Sequence, residues 1–169
     1  FNFGEERRAR RIARAIAKAR KKTPIIRTLQ LAQIVRRCFS DIHSKGAIDH
    51  ATRTFQALRI FINDELGEIE RGLGAAEKIL KKGGEIAVVS FHSLEDRIVK
   101  QFFVNRSRDS SGFSRHLPNQ TEKRPPSFSI TSRRPIRPSE IETRANPRAR
   151  SARLRTATKL VFSAMKTDK

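Results

Sequence analysis

Near the start of the chain, apolar side chains recur every three or four positions, the spacing of one helix face. Between Gly4 and about Lys22 they are Ala9, Ile12, Ala13 and Ile16. Thr23-Pro24 predicts the end of this helix, because proline lacks the amide hydrogen that a helix needs and restricts the preceding residue. A second helix is predicted from Leu29 to Phe39, with Thr28 as its N-cap. Its apolar positions are Leu31, Ile34, Val35 and Cys38.

A further apolar stripe predicts the longest helix of the chain, from Ala51 to Leu73. The stripe consists of Phe55, Leu58, Ile62, Leu66, Ile69 and Leu73. The helical pattern continues from Ala75 to Lys82, and Gly83-Gly84 ends it because glycine commonly follows a helix C terminus. The segment before this helix, Ser40 to His50, is predicted to be a polar loop.

The pattern then changes from helical spacing to an uninterrupted apolar run. Ile86 to Val89 are consecutive apolar residues, which predicts that Glu85–Phe91 is a strand buried on both faces, as in a parallel sheet. The polar residues Ser90 to Ser93 follow, and a helix is predicted to begin at Ser93 with Asp96 completing a capping box. The loop after a buried parallel strand is where α/β folds place their chemistry, so this loop is the first candidate site.

The last part of the chain alternates loops with short elements. Residues 105–127 are rich in Ser, Arg and Pro and are predicted to be a flexible loop. Strands are predicted at 127–134 and 152–162, and Ser139 with Glu142 predicts a capped helix start. These elements indicate an α/β fold that is the second half of an open sheet. Because one buried strand cannot form a stable parallel sheet alone, and because the chain does not start with Met, we expect an N-terminally truncated fragment.

Charge directs the search for function toward nucleic acids. The 169 residues include 37 Lys and Arg against 17 Asp and Glu, a net charge of +20. A polyanion that neutralises such a charge gains affinity from counterion release, whereas the alternative is a merely solvated surface. The first helix carries part of this charge as a stripe opposite its apolar side, for which phosphate contact and simple solvation both remain open. The stripe consists of Arg7, Arg11, Arg14, Lys18 and Lys21.

Cysteine content, hydropathy and histidine spacing indicate which compartment, membrane association and metal binding to expect. Cys38 is the only cysteine, so the chain has neither an intrachain disulfide nor a thiolate metal cluster, which fits a reducing cytoplasm. No apolar run approaches the roughly 20 residues that cross a bilayer, so no membrane partner is expected. The four histidines lack the spacing of metal ligands, and no metal site is expected.

Five segments, in order along nearly the whole chain, resemble the C-terminal half of one enzyme family. They are Phe3–Arg7 (FGEER), Ala51–Ile60 (ATRTFQALRI), Ser90–Lys100 (SFHSLEDRIVK), Arg134–Ile136 (RPI) and Asn146–Arg155 (NPRARSARLR). Each segment alone is short, but their shared order and spacing are specific. The chain therefore resembles the RsmH (MraW) family of bacterial 16S ribosomal RNA (cytosine-N4)-methyltransferases.

The resemblance implies a partial class I (Rossmann-like) methyltransferase fold with a helical insertion. Residues 1–60 would form the helical substrate (RNA)-recognition insertion, and residues 61–169 the C-terminal part of the sheet domain. It also implies S-adenosylmethionine as cofactor and small-subunit ribosomal RNA, or the 30S subunit, as partner. The family's glycine-rich cofactor loop has no counterpart here, because no strand precedes Gly72-Leu73-Gly74. No cofactor-binding residue is therefore assigned, and the chain alone is expected to bind the cofactor poorly and to be inactive.

Two residues at the end of the predicted strand are the candidate catalytic or pocket-lining residues, Ser90 and His92. Methylation of a cytosine amine needs an acceptor for its N–H and an unstacked base, and histidine can exchange a proton near neutral pH. The alternative is that His92 only orients the loop. Ser93 is interpreted as a helix cap.

Two polar clusters are candidate RNA-binding residues. The first lies within two helical turns and consists of Arg53, Thr54, Gln56 and Arg59; the second precedes the last strand and consists of Asn146, Arg148 and Arg150. The first cluster could instead pair within the molecule, with Asp49, Asp64 or Glu65, and the second could be a solvated loop. A Pro-Pro-aromatic resemblance at 124–128 is discounted because its leading acceptor is missing.

Two other functions compete with the enzyme. A basic RNA-binding or ribosome-associated module without catalysis accounts for the charge equally well, and a DNA amine methyltransferase is a weaker third possibility. Sequence upstream of Phe1 discriminates the first two, since a strand followed by a glycine-rich turn would favour the enzyme.

Overall fold

The computed structural model describes residues 1–39, 49–107 and 125–160 of the chain. They form two compact units, Phe1–Glu65 and Leu66–Lys169, which we call the helical unit and the sheet unit. The division follows Glu65, slightly later than the expected domain boundary at residue 60. Most of the predicted polar loop at 40–50 and of the predicted flexible loop at 105–127 lies outside the described residues.

The helical unit contains three helices, α1 (Ala9–Lys22), α2 (Thr28–Arg36, extended by a 3-10 turn at Arg37–Phe39) and α3 (Thr52–Asn63). The apolar spacing that predicted α1 and α2 also explains their packing, because the buried positions of the two helices meet in one core. Its buried members are Ile12, Ala32, Val35, Cys38, Phe39 and Ala51. Thr28 is the first helical residue rather than the N-cap, which is Arg27.

The predicted helix from Ala51 to Leu73 is wrong in one respect, since it is broken at Asp64. That residue adopts the left-handed conformation (φ 50°, ψ 39°), α3 ends before it, and α4 (Glu65–Ile79) begins after it. Aspartate is among the few non-glycine residues that tolerate this conformation. The buried face of α3 also differs from the predicted one, because Ile60 is 1% exposed whereas Ile62, a member of the predicted stripe, is 75% exposed.

The sheet unit continues with β1 (Glu85–Ser90), α5 (Ser93–Ser107), β2 (Phe128–Ser129), α6 (Glu140–Ala145) and β3 (Arg153–Lys159). The strand order is β1-β3-β2, and both pairings are antiparallel. The α/β class is confirmed, but the described strands include no parallel pair. The Rossmann-like arrangement expected from the resemblance is therefore not seen in this part of the chain.

Helices α4 and α5 and the inner sheet face enclose the core of this unit. Its buried residues are Leu73, Val99, Phe103, Phe128 and Ala157. Phe128 is fully buried, and its ring lies 5.8 Å from the ring of Phe103 and 6.1 Å from that of Phe102. The predicted strand at 127–134 is reduced to Phe128–Ser129, but its aromatic residue is in the core.

The prediction that β1 is buried on both faces is wrong for the described structure. Its residues alternate, with Glu85, Ala87 and Val89 exposed and the residues between them half-buried. Val89 is 54% exposed. The physical reason is that only one face of β1 packs on the core, and that β3 is its only hydrogen-bonded neighbour among the described strands.

The remaining elements differ from expectation mainly in length. Helix α5 runs to Ser107, past the predicted start of the loop at residue 105, and β3 is shorter than the predicted strand at 152–162. The predicted cap of α6 is confirmed, because the Ser139 side chain accepts the Glu142 backbone N–H at 3.1 Å. Among the described residues, no helix combines the length and apolar character needed to cross a membrane.

Candidate functional site

Ser90 lies at the end of β1, where the sequence predicts a candidate site. It is only 3% exposed, and its hydroxyl donates to the backbone carbonyl of Arg153, its register partner on β3, at 3.4 Å. The hydroxyl is thereby held inside the sheet. A catalytic role for Ser90 remains a prediction, and the contact present is structural.

The β1–α5 loop is closed by a reciprocal pair, His92 and Glu95. Glu95 Oε2 accepts the backbone N–H groups of Phe91 at 2.7 Å and of His92 at 3.2 Å. In return, His92 Nδ1 accepts the Glu95 backbone N–H at 3.4 Å. This capping pair lies one residue before the predicted pair of Ser93 and Asp96, and the Asp96 carboxylate accepts hydrogen bonds from arginines.

The same geometry orients the His92 ring. With Nδ1 accepting a hydrogen bond, a neutral ring carries its proton on Nε2. Nε2 is buried and lies 3.2 Å from Glu95 Oε1, without the alignment of a hydrogen bond. The loop-orienting alternative for His92 is therefore realised, while a chemical role stays a prediction.

Asp96 anchors this loop to the sheet through a network that the sequence did not predict. Its Oδ1 accepts Arg155 Nε at 2.7 Å, and its Oδ2 accepts Arg153 Nη1 at 2.9 Å and Arg155 Nη2 at 3.2 Å. Burial alone would raise the pKa of Asp96, but the hydrogen bonds from Arg155 and Arg153 outweigh it and lower the pKa. The available signal was the spacing of the two arginines, because alternate residues of a strand share a face.

A second, half-buried network is centred on Glu77 of α4. This residue is hydrogen-bonded to α5, to β3 and to the residue before β2. Its side chain accepts Arg106 Nε at 2.5 Å and the Ser127 hydroxyl at 2.6 Å, and its carbonyl accepts Lys159 Nζ at 2.7 Å. Burial opposes ionisation of Glu77, yet the hydrogen bonds from Ser127 and Arg106 hold its pKa below the usual value.

The first predicted RNA-binding cluster lies on α3 in the helical unit. The Arg53 side chain is 59% exposed, and its Nη1 is 3.9 Å from Glu6 Oε2. Arg59 is paired, with Nε 2.7 Å from Glu65 Oε1 and Nη2 3.0 Å from Oε2. Intramolecular pairing, left open by the sequence, thus occurs for Arg59. Thr54 and Gln56 are half-buried.

Asp49, another partner considered for that cluster, pairs with Arg36 instead. The Arg36 guanidinium donates to both carboxylate oxygens, and the hydrogen bond lowers the pKa of Asp49 to about 2. Asp49 also accepts the Ala51 backbone N–H at 2.9 Å, just before α3. The Arg36–Asp49 pair therefore helps to order the start of α3, and Asp49 does not form a salt bridge with Arg53.

The second predicted RNA-binding cluster lies in the sheet unit, on a 3-10 turn at Pro147–Ser151. Asn146 caps this turn by accepting the Arg148 backbone N–H at 3.2 Å. Arg148 and Arg150 are exposed, while the intervening Ala149 is 8% exposed and anchors the turn. The two predicted RNA-binding clusters therefore belong to different units.

Neither candidate catalytic residue lines a large cavity that lies beside α5 in the described part of the sheet unit. That cavity, of about 550 Å³, is lined by residues of α5 and of the segments around β2 and β3, including Lys100, Asn105 and Arg133. A pocket-lining role for Ser90 and His92 stays a prediction.

The described residues do not fit a nucleotide-type cofactor. The loop that follows β1 contains no glycine, and Gly72 and Gly74 lie inside α4 rather than in a tight turn. A Cβ atom added at either glycine meets nothing within 4 Å, so neither marks a close backbone approach. No step of a reaction through S-adenosylmethionine can be derived from this part of the chain.

Comparison with known proteins identifies the class of protein. A family model described as the MraW methylase family matches residues 1–160. The chain is 51% identical over 97% of its length to "Ribosomal RNA small subunit methyltransferase H" of Rhodospirillum rubrum. It is 57% and 56% identical, over 92% of its length, to proteins of the same name from Methylobacterium nodulans and Rhodopseudomonas palustris.

The chain belongs to the MraW methylase family, which confirms the resemblance found in the sequence. It spans about half the length of the curated relatives it matches: 51%, 45% and 46% for the three proteins above. The activity of a whole protein of this family therefore reaches this chain only as a proposal.

Proposed function

We propose that the intact protein containing this chain methylates N4 of a cytidine in small-subunit (16S) ribosomal RNA, with S-adenosylmethionine as methyl donor. The chain would be the C-terminal half of that cytoplasmic enzyme. The observation that carries the proposal is identity of 51–57% over 92–97% of the chain with relatives named ribosomal RNA small subunit methyltransferase H.

In this proposal, the cofactor is held by the half of the intact protein that is not in this chain. The lack of a glycine-rich turn after a strand in the described part supports that division. β1 would be an inner strand of the completed sheet. Its free edge among the described strands supports this role because a further strand could pair with it, and the exposed side chains of Ala87 and Val89 support it because helices of the completed domain would cover that face.

The β1–α5 loop would form one wall of the site for the target base. His92 and Ser90 would line it, with Glu95 and Asp96 holding the loop in position. Phe91 is 56% exposed beside them, and an exposed aromatic ring is a surface on which an unstacked base can lie. This aromatic residue was not among the candidates predicted from the sequence.

RNA recognition would involve both units. Residues 1–60 would act as the recognition insertion, with Arg53, Thr54, Gln56 and Arg59 on α3, and the Asn146-capped turn would present Arg148 and Arg150. The exposed guanidinium groups support phosphate contacts, which position an RNA without reading its sequence. Since Arg59 is paired with Glu65, we expect it to contribute less than Arg53.

A second candidate function is a basic RNA-binding module without catalysis. It is favoured by the net charge of +20 together with the lack of a cofactor cradle among the described residues. It predicts that RNA binding and any ribosome association persist in the absence of any methyl donor.

Calorimetric titration of S-adenosylmethionine tests the proposal when it is done on both the intact protein and the 169-residue chain. We expect binding by the intact protein only. A parallel assay incubates the intact protein with unmodified small-subunit RNA and measures N4-methylcytidine in the nuclease digest. Tight binding by this chain alone would contradict the division of the site, and an absence of N4-methylcytidine would support the binding module.

A further inference from the structure

Helix α1 presents four regularly spaced cations on one exposed face. We call Arg11, Arg14, Lys18 and Lys21 the α1 stripe; they are three or four residues apart, so they share a helix face. At 1.5 Å per residue the stripe extends over about 15 Å. The helix contains no acidic residue at all.

The opposite side of α1 is fixed against the core of the helical unit. Ile12 is 4% exposed, and Ala15 and Ile16 pack against the same cluster, which contains Val35 and Phe39. Arg8, just before the helix, also turns inward, because its Nη1 donates to the Cys38 carbonyl at 3.0 Å and its guanidinium lies 4.9 Å from the Phe39 ring centroid. These contacts leave the stripe facing outward.

The stripe has no acidic partner within the described part of the chain. The carboxylates of Asp49, Glu65 and Glu6 face Arg36, Arg59 and Arg53 instead. No salt bridge joins any of the four stripe residues to a described acid, and only Arg14 makes a side-chain hydrogen bond, to the Arg10 carbonyl. Four adjacent positive charges without a counter-charge repel one another, and an external polyanion would relieve this repulsion.

The shape of the surface favours RNA over a membrane as that polyanion. A helix that lies in a membrane interface inserts an apolar face among the lipids. The apolar face of α1 is already occupied by the core, and its outer face offers charge without large apolar side chains. A row of cations on a rigid helix matches the repeated phosphates of a nucleic-acid backbone.

We propose that the α1 stripe binds the phosphate backbone of the substrate RNA, in addition to the two clusters proposed above. The identity of that RNA rests on the proposed function. Because the contacts are to phosphates, the stripe contributes affinity and orientation rather than choice of the target base.

The test measures binding of the full 169-residue chain to a fluorescein-labelled single-stranded fragment of small-subunit ribosomal RNA across a range of salt concentrations. The variant is Arg11→Gln/Arg14→Gln/Lys18→Gln, since glutamine preserves helix propensity. We expect about tenfold weaker binding near physiological salt. We also expect the slope of log affinity against log salt to fall by about 2, from three lost contacts at about 0.7 each.

A matched control removes the same charge from another exposed segment. Lys78→Gln/Lys81→Gln/Lys82→Gln alters three exposed lysines of the sheet unit and should weaken binding by less than about threefold. The charge-preserving variant Arg11→Lys/Arg14→Lys should keep the parent affinity within about twofold, because a phosphate contact needs the charge. Equal losses in the glutamine variant and its control would overturn the inference, leaving only a net-charge effect. Circular dichroism should show the same total helix content in the variants and the parent chain.

Two further measurements distinguish this inference from the proposed function and from binding to a membrane. In the intact protein, the stripe variant should raise the KM for RNA about tenfold and leave kcat within about twofold. If the parent protein does not methylate RNA, the proposed function fails while the binding titration still decides on the stripe. If the stripe variant binds RNA normally but loses binding to phosphatidylglycerol vesicles, the stripe is a membrane surface and the inference is wrong.

Discussion

Two groups of basic residues, one in each unit, have opposite surroundings. In the sheet unit, Arg153 and Arg155 converge on Asp96, and Arg106 contacts Glu77 on another element. In the helical unit, the α1 stripe faces outward without an acidic partner in the described part of the chain. The net charge of +20 is therefore the sum of structural and surface cations.

This difference shows that composition alone does not indicate which arginines bind a ligand. Arg155 is 9% exposed and would be left without its carboxylate if Asp96 were removed, so its pair is required for stability. An exposed cation without a partner contributes little to folding and remains available for phosphates. Stability should consequently respond to substitutions in the Asp96 network, and RNA affinity to substitutions in the α1 stripe.

The largest expected effect follows from Asp96→Ala in the sheet unit. Removing this carboxylate leaves Arg155 buried without a counter-charge and detaches the start of α5 from β3. We expect a loss of about 3–5 kcal/mol in the free energy of unfolding, measured by urea denaturation.

Arg14→Ala on α1 is the matched opposite case. It should change the unfolding free energy by less than about 0.5 kcal/mol, because the side chain lies outside the core. Similar losses for Asp96→Ala and Arg14→Ala would contradict the division into structural and surface cations.

A smaller effect is expected for Gly4→Ala in the helical unit, because the backbone at Gly4 lies close to the backbone of α3. A Cβ atom at Gly4 would lie 2.5 Å from the Arg53 carbonyl oxygen, and this backbone atom cannot rotate away. Gly4→Ala should therefore destabilise the helical unit by about 2 kcal/mol in urea denaturation.

The control for Gly4 is Gly72→Ala within α4. An added Cβ there meets nothing within 4 Å, so the better helix propensity of alanine should stabilise the sheet unit by about 0.5–1 kcal/mol. If Gly4→Ala were neutral, the close approach between the N-terminal turn and α3 would be wrong.

Elements whose signal is local could be predicted from the sequence. The apolar spacing of α1 and α2 identified Ile12 and Val35, and the Ser139 cap of α6 depends on residues only three positions apart. The break at Asp64 could not be found in the same way, because apolar spacing continues through it and the left-handed conformation depends on one residue's tolerance. A consecutive apolar run likewise does not distinguish burial on one face from burial on two, as β1 shows.

The local structure around the candidate site could be predicted only in part. Sequence reasoning found the loop after β1, but placed the capping pair at Ser93 and Asp96 instead of His92 and Glu95. The competing interaction was long-range, since Asp96 meets arginines on β3, far along the chain. Contacts between residues so far apart in the sequence cannot be predicted unless the strand pairing is already known.

Acid should reproduce the Asp96 effect in part. The hydrogen bonds that lower the pKa of Asp96 and Glu77 make each contribute stability above the ordinary carboxyl pKa values of 3.8 and 4.5. That stability is lost as the pH falls through the lowered values. Unfolding free energy should thus decline below about pH 5, measured by urea denaturation across the acid range.

The control for this pH dependence is Asp96→Asn, which removes one of the three described carboxyl groups whose pKa is lowered, Asp49, Glu77 and Asp96. Its decline between about pH 5 and pH 2 should be shallower than that of the parent. An identical acid profile in the variant would mean that Asp96 does not contribute to the acid sensitivity.

The smallest expected effect concerns the candidate loop itself. Glu95 accepts the backbone N–H groups of both Phe91 and His92, so Glu95→Ala should open the loop without unfolding the sheet unit. We expect amide hydrogen exchange at these two residues to accelerate about tenfold, equivalent to about 1.4 kcal/mol, with less than about 1 kcal/mol lost globally. Glu95→Gln keeps an acceptor oxygen and should give an intermediate rate. Unchanged exchange in Glu95→Ala would show that the loop is held by the strand and helix that flank it. The hydrogen bonds with Glu95 would then not be what orients His92.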